Sequence, residues 1–334
     1  MIILRRMSMN EINYNNINTL EPNKMLEFNK SKTLWNKIKT DYKVNKSVYV
    51  MVAPIILFFI IFSYIPMVGV LMAFQKYNIK DGLFGSQWIG FKNFTDFFKS
   101  YYCFRLIKNT FLLSFYDLLF GFPAPIIFAL LMNELTSKKF KKIIQTITYM
   151  PHFISMVVIA GIIIDFFSSS GAVTAIVAKL GGPQTNLLGK PEFFRSIFVS
   201  TNIWQGIGFG SVIYMAALSG IDQEQYEAAA LDGAGRWQQT LHVTLPGIAS
   251  TIIILLILRI GSLLSVSFEK VILLYSPITY STADVISSFV YRKGLQEFNY
   301  GYSTAVGLFN SAINFLLLVF ANKLSKKFTE TSLF

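Results

Sequence analysis

The sequence predicts an all-α membrane protein with about six transmembrane helices, and three observations predict it. Of 334 residues, 53% are hydrophobic and 14% charged, against about 25% charged in an average soluble domain. The apolar residues gather in nearly charge-free runs, each close to the roughly 20 residues that a helix needs to cross a bilayer core. The formal charge of +12 falls between these runs, as in basic loops beside anionic lipid rather than a nucleic-acid surface. The composition excludes disorder. The single cysteine, Cys103, excludes a disulfide framework, and two histidines are too few for most histidine-based metal chemistry.

Six runs carry the prediction. They are 47–75, 109–133 (interrupted by Asp117), 143–168 (with Asp165 near its end), 196–219, 247–268 (containing Arg259) and 302–322. Pro54, Pro66, Pro123, Pro125 and Pro151 lie in or beside them, as membrane helices tolerate where neighbours satisfy the freed carbonyls. The apolar stretch at Met1 to Leu4 is too short for a cleavable signal. The expected organisation is a polar tail over 1–46, a membrane domain over 47–322 and a second tail over 323–334. In the first tail Leu34, Trp35, Ile38 and Tyr42 recur at helical spacing among lysines, which reads as a helix on the membrane surface; an unstructured tail is the alternative. An even number of spans puts both termini on one side. That side holds 17 of the 30 Lys and Arg and the other 12, so the termini are expected in the cytoplasm.

The loop over 220–246, between the fourth and fifth runs, is built like two short helices. Asp222, with Gln225 three residues on, resembles a capping box. The run 226–231 is rich in helix formers. Asp232-Gly233 ends that helix with a residue suited to left-handed backbone. A second helix is expected over 236–242, ended by Leu245-Pro246 before the fifth span. The alanines leave a thin face on which another protein can come close to the backbone.

Glu227-Ala228-Ala229, three residues, Gly233, nine residues, then Val243-x-Leu245-Pro246 resembles the EAA loop of ABC-importer permeases, with valine in place of isoleucine. Ser86-x-Trp88-x-Gly90-x-x-Asn93-Phe94 and the stretch 302–310 resemble the sugar-type, oligosaccharide-importing branch, of which the larger maltose-importer permease is one. The resemblance covers nearly the whole chain beyond residue 45. It implies a type I ABC-importer permease fold with a cytoplasmic coupling helix, in a bacterial plasma membrane. The implied partners are a second permease, two ATPase subunits and an extracytoplasmic sugar-binding lipoprotein. The chain has no phosphate-binding GxxxxGK[ST] loop, so ATP and Mg are expected on the partner ATPases and no cofactor on this chain. The expected ATPase-coupling residues are Glu227 for a basic group, Ala228 and Ala229 for close contact, Asp232, and Gly233 for the turn.

Polar groups inside spans are expensive unless they face the bundle interior or water, so the polar residues of spans four and five mark the expected substrate path. Asn202-x-Trp204-x-Gly206 resembles a substrate-contacting stretch of the maltose type, with Gln205 where that type has an apolar residue. The path candidates are Asn202, Gln205, Gly206, Phe209, Arg259, Ser262 and Glu269. Interhelical hydrogen bonding is the competing reading for Asn202 and Gln205, and close packing for Gly206, Gly208, Gly210 and Ser211. Asp117 and Arg259 must pair, reach water or change protonation. Pairing with each other or with the second permease is favoured, over Arg259 contacting sugar hydroxyls or an acidic sugar. An ion-coupled secondary transporter, with Asp117, Asp165 or Glu269 carrying protons, is the alternative function. It would leave the EAA-like loop unexplained, and no inverted repeat is visible.

Overall fold

The computed structural model describes residues 41–329 except 43, so the surface helix expected around Leu34 to Ile38 lies outside the described residues. Contacts divide the chain into two compact units, 1–68 and 69–334. In the first, α1 (Lys46–Phe59) continues through a π turn (Ile60–Tyr64) into Ile65–Met67.

The second unit carries, besides the single turns Gly82–Gly85 and Tyr280–Ala283, α2 (Lys92–Lys99), α3 (Cys103–Tyr116), α4 (Pro123–Asn133), α5 (Lys138–Tyr149), α6 (Met156–Phe167), α7 (Ala172–Lys179) and α8 (Pro191–Leu218). After these come α9 (Gln223–Leu231), α10 (Arg236–Gln239), α11 (Ala249–Gly261), α12 (Phe268–Leu274), α13 (Ile286–Tyr291) and α14 (Tyr300–Thr329). Four helical runs among the described residues are long and apolar enough to cross a membrane: Lys46–Phe74, Cys103–Asn133, Met156–Lys179 and Tyr300–Lys327. A bent pair, Arg236–Gly247 with Ala249–Gly261, makes a fifth. The 28-residue α8 is of spanning length but punctuated by Ser200, Thr201, Asn202, Gln205 and Ser211.

Prolines accompany three of the π turns; a fourth, Arg292–Gln296, has none after it. Three π turns, Ile60–Tyr64, Asp117–Gly121 and Thr240–Thr244, end two residues before Pro66, Pro123 and Pro246. Proline cannot donate to the carbonyl four residues back, and a widened turn absorbs the mismatch without ending the helix. This corrects the expected end of the second loop helix: Pro246 does not stop it. The helical run continues to Gly247, the break falls at Ile248 (φ −105°, ψ 5°), and the chain bends there by 61°. The third expected span is corrected likewise. Residues 138–149 form a separate, basic helix, Pro151 starts a short 3-10 turn (Met150–Phe153), and the apolar helix begins only at Met156. At the other end of the chain, α14 runs past Asn322 to Thr329 without a break.

The motif around Trp88 builds a small outer structure. Strands β1 (Gln75–Lys76) and β2 (Gln87–Trp88) pair antiparallel, with Gln75 opposite Trp88. Asn93 Nδ2 donates to the carbonyls of Ala73 and Gln75 at 2.9 and 3.1 Å, and Phe74 stacks on Trp88 at 5.6 Å. Behind the site, Phe194, Ile197 and Phe198 of α8 form a buried core with Ile159 and Ile163 of α6 and Val271 of α12. Ala129, Tyr214, Leu218 and Ile248 close the opposite end. Between them α5 touches α8 at Gly208, where a Cβ would overlap the Thr148 carbonyl. Small residues allow such approach of backbones in membrane bundles.

Candidate functional site

A cleft of about 730 Å³ opens between α8, α11 and the π turn after α3, lined by Asp117, Asn202, Gln205, Gly206, Arg259 and Ser262 among others. The π turn aims the Asp117 carboxylate across at Arg259, whose Nη2 donates to Asp117 Oδ2. Asn202 Nδ2 donates to the other carboxylate oxygen at 3.1 Å. Asn202 Oδ1 in turn accepts from Lys270 Nζ at 2.6 Å, and Lys270 also reaches the Phe198 carbonyl at 3.4 Å. A continuous chain Arg259–Asp117–Asn202–Lys270 therefore ties together the π turn after α3, α8, α11 and α12. Pairing with each other is the fate of the two charges expected inside spans. Lys270 is the member that sequence reasoning missed. It sits just past the fifth apolar run, reads there as an ordinary loop cation, and is fully buried.

The cleft's far wall is non-helical. After α11 ends at Gly261 the chain is irregular until Phe268, and α14 satisfies its backbone. Leu264 N–H donates to Asn314 Oδ1 at 2.9 Å, Asn310 Nδ2 donates to the Leu264 carbonyl at 3.3 Å, and Asn314 Nδ2 donates to Ser265 Oγ at 3.0 Å. Irregular backbone at membrane depth needs such support. A smaller recess of about 160 Å³, lined by Ser114, Asp117, Asn202, Ser265 and Ser267, continues behind the ion pair.

Of the seven expected path residues, the cleft brings together Asn202, Gln205, Gly206, Arg259 and Ser262. Two are elsewhere. Phe209 shares the helical face of Asn202, but its ring stacks on His152 at 4.1 Å and 9°, and the imidazole lines the cleft instead. Glu269 stands in the exposed first turn of α12, away from the lining. Among the small residues, Gly206 faces open space, with nothing within 4 Å of a built Cβ. Ser211 is buried, with its hydroxyl donating to the Gly208 carbonyl at 2.6 Å.

A second polar cluster holds the segment between α12 and α13. The buried Asp284 carboxylate accepts from Arg292 at 2.8 Å, Arg105 at 3.3 Å and Ser288 at 2.9 Å. Asn109 donates to the Asp284 carbonyl at 3.1 Å and accepts from Arg195 at 2.8 Å. Burial works against the Arg292 charge, but the hydrogen bond and charge of Asp284 outweigh it and raise its pKa above the ordinary value.

The loop between α8 and α11 forms the second candidate surface. Asp222 caps α9 by accepting from Glu224 N–H at 3.1 Å, rather than through the expected box with Gln225. At the other end Gly233 adopts φ +81°, with Ala234 N–H donating to Ala229 O at 2.9 Å and Gly233 N–H to Ala230 O at 3.1 Å. This is the paired C-terminal bonding that a left-handed residue permits. Tyr226 Oη lies 3.0 Å from Thr244 Oγ1 and fixes α9 on the following turn. Glu227, Ala228 and Asp232 are exposed and Ala229 is half-buried. A notch of about 330 Å³ is lined by Ala229, Asp232, Gly233, Ala234 and Gln238. Leu231 is 90% and Trp237 73% exposed, far more than an isolated soluble surface usually grants such residues.

Residues 121–330 match the family described as the inner membrane component of binding-protein-dependent transport systems. The chain is 45% identical to protein LplB of Bacillus subtilis (strain 168) over 293 residues, covering 87% of this chain and 92% of that one. It is 40% identical to the polygalacturonan/rhamnogalacturonan transport system permease protein YteP of the same strain, covering 86% and 90%. A solved bacterial ABC transporter, involved in import of the acidic polysaccharide alginate, contains a chain that superposes with a TM-score of 0.81 at 45% identity, covering 88% of this chain and 99% of that one. A second structure of a bacterial alginate ABC transporter, in complex with an alginate pentasaccharide-bound periplasmic protein, matches at the same TM-score and identity and covers 90% of this chain. Taken with the broken fifth helix and the capped loop helix before it, these matches place the chain in the binding-protein-dependent transport family, as a multi-pass inner membrane permease component with the type I importer fold.

Proposed function

We propose that the chain is the permease subunit of an ATP-driven, binding-protein-dependent importer, and that it forms an oligosaccharide path by alternating access with a second permease. An extracytoplasmic binding lipoprotein delivers the sugar. Two ATPase subunits bind and hydrolyse MgATP, and this chain carries no cofactor of its own. Both termini and the loop over 220–246 face the cytoplasm. The observation that carries the reading is α9. It is a short helix capped at both ends, with Glu227, Ala228 and Asp232 exposed, set directly before the bent helix that carries Arg259 into the polar cleft. Oligosaccharide as cargo is supported by relatives named for polygalacturonan and alginate import. Asp117 is engaged by Arg259 and Asn202, which disfavours it as a proton carrier.

The test is reconstitution in liposomes of this chain with a second permease, the ATPases and the binding protein. Wild type is expected to take up oligosaccharide only with ATP. Glu227→Lys is expected to insert normally but to lose ATPase docking, because it reverses charge at a close contact. Normal uptake by that variant would sink the assignment of α9 as the coupling helix. ATP-independent uptake driven by an ion gradient would overturn the reading in favour of a secondary transporter.

A further inference from the structure

The two basic groups beside the cleft are engaged unequally. One carboxylate, Asp117, serves two cations: Arg259 directly and Lys270 through the Asn202 amide. Lys270 Nζ is otherwise met by the Phe198 carbonyl and, at 5.1 Å, the face of the Phe198 ring, and Lys270 forms no ion pair among the described residues. Burial pushes the Lys270 amine down to about 7, so the fixed positive charge of the network is Arg259, held against Asp117. The two cations are not equally placed. Lys270 is fully buried and absent from the lining. The Arg259 side chain is 47% exposed and lines the cleft. Only its Nη2 is engaged by a described residue, so the rest of its planar fork of donors faces open space. Such a fork matches a carboxylate better than a hydroxyl. Beside it Gln205 lines the cleft with no protein hydrogen bond among the described residues, and Gly206 leaves room for a ligand to approach the helix.

We propose that Arg259 is the carboxylate-reading residue of this cleft and that the oligosaccharide carried is acidic, a chain of uronic-acid units. This rests on the oligosaccharide reading above. A uronate carboxylate accepts from the unengaged donors on the open side of Arg259, while Gln205 meets a ring hydroxyl. Asp117 positions the guanidinium from behind. Because Asp117 already holds one side of the fork, a passing carboxylate is bound through fewer donors than a free arginine offers. It is recognised without being trapped, as a translocation path requires.

The test compares two probes in the reconstituted importer: tetragalacturonate, and the same oligomer with its carboxyls reduced to alcohols. Uptake is measured per assembled complex. The same binding protein serves every variant, so a change in the acid-to-neutral ratio reports on the permease. Arg259→Gln is expected to lower acid uptake about tenfold, the effect of one lost charge-assisted hydrogen bond, and neutral uptake by less than about twofold. Arg259→Lys, which keeps the charge and loses the fork, is expected to fall between. The pair Asp117→Asn/Arg259→Gln removes both charges, so a residual uncompensated carboxylate does not confuse the result; it is expected to keep the low ratio. An equal fall for both probes in Arg259→Gln and in the double variant would overturn the proposal and leave Arg259 a structural partner of Asp117 or of the second permease. Wild-type uptake of the neutral probe alone would overturn it while leaving oligosaccharide import standing. Uptake of neither would remove both.

Discussion

Replacing Gly208 by alanine tests the packing of α8 against α5 directly. A Cβ at 208 would sit 2.5 Å from the Thr148 carbonyl carbon and 2.9 Å from Thr148 Cβ, and nearer still to the carbonyl oxygen. Carbon atoms rest about 3.5–4.0 Å apart, so the helices must separate by roughly 1 Å. The obstacle is backbone, which cannot rotate away. Overpacking of this kind costs about 1–3 kcal/mol, of which a better helix propensity returns up to about 1 kcal/mol. The control lies two residues away. Gly206→Ala adds the same methyl to the same helix, meets nothing within 4 Å, and gains the propensity. In detergent, thermal unfolding followed by size-exclusion chromatography is expected to show Gly208→Ala melting below wild type and Gly206→Ala at or above it. Equal melting of the two variants would refute the assignment of Gly208 as a contact between backbones.

The other expectations follow from single features. Cysteines placed at Lys139 and Gln239 are expected to label from the cytoplasm, and cysteines at Gln87 and Lys190 from outside. The native Cys103 is buried and gives little background, and a shared side for Lys139 and Gln87 would show a miscounted span. Asn202→Ala removes the bridge between Asp117 and Lys270 and leaves buried polar groups short of partners, at about 1–3 kcal/mol, so the yield of folded complex should drop. Gln205→Ala removes at most one ligand bond, about 0.5–1.5 kcal/mol, so uptake per complex should fall only partially while yield holds. Asp284→Ala strands Arg105 and Arg292 around a vacated carboxylate; breaking a buried pair costs about 3–5 kcal/mol, visible as a large drop in melting temperature.

What the sequence shows of this molecule depends on how local the cause is. The fold of the loop over 220–246 was legible because its signals are short-range: a cap at Asp222, alanines, and a Gly233 that takes φ +81°. The meeting of Asp117 and Arg259 was legible by elimination, since two lone opposite charges inside a bundle have few other fates. Lys270 was not, because its burial depends on α12 folding back onto α8, which no spacing encodes. Phe209 was misplaced for a related reason. The helical wheel puts it on the cleft face, and only the neighbouring 3-10 turn, begun by Pro151, brings His152 up to cover its ring. Pro246 misled differently. In a soluble helix it marks an end, whereas here a π turn absorbs it and the bend comes two residues later, at Ile248, where Gly247 packs against Ile221.

That bend makes α11 a lever with its fulcrum at Ile248. Arg259 lies 11 residues along the arm, about 16 Å at 1.5 Å per residue. A change of about 10° in the 61° angle therefore displaces the guanidinium by nearly 3 Å, about the full length of a hydrogen bond. The other arm, from Arg236 to Gly247, is of about equal length and begins beside the exposed Trp237 and Leu231. A push of about 3 Å on that surface, at the 1.5 Å rise per residue of a helix, is thus geometrically sufficient to part Arg259 from Asp117 by turning about this bend.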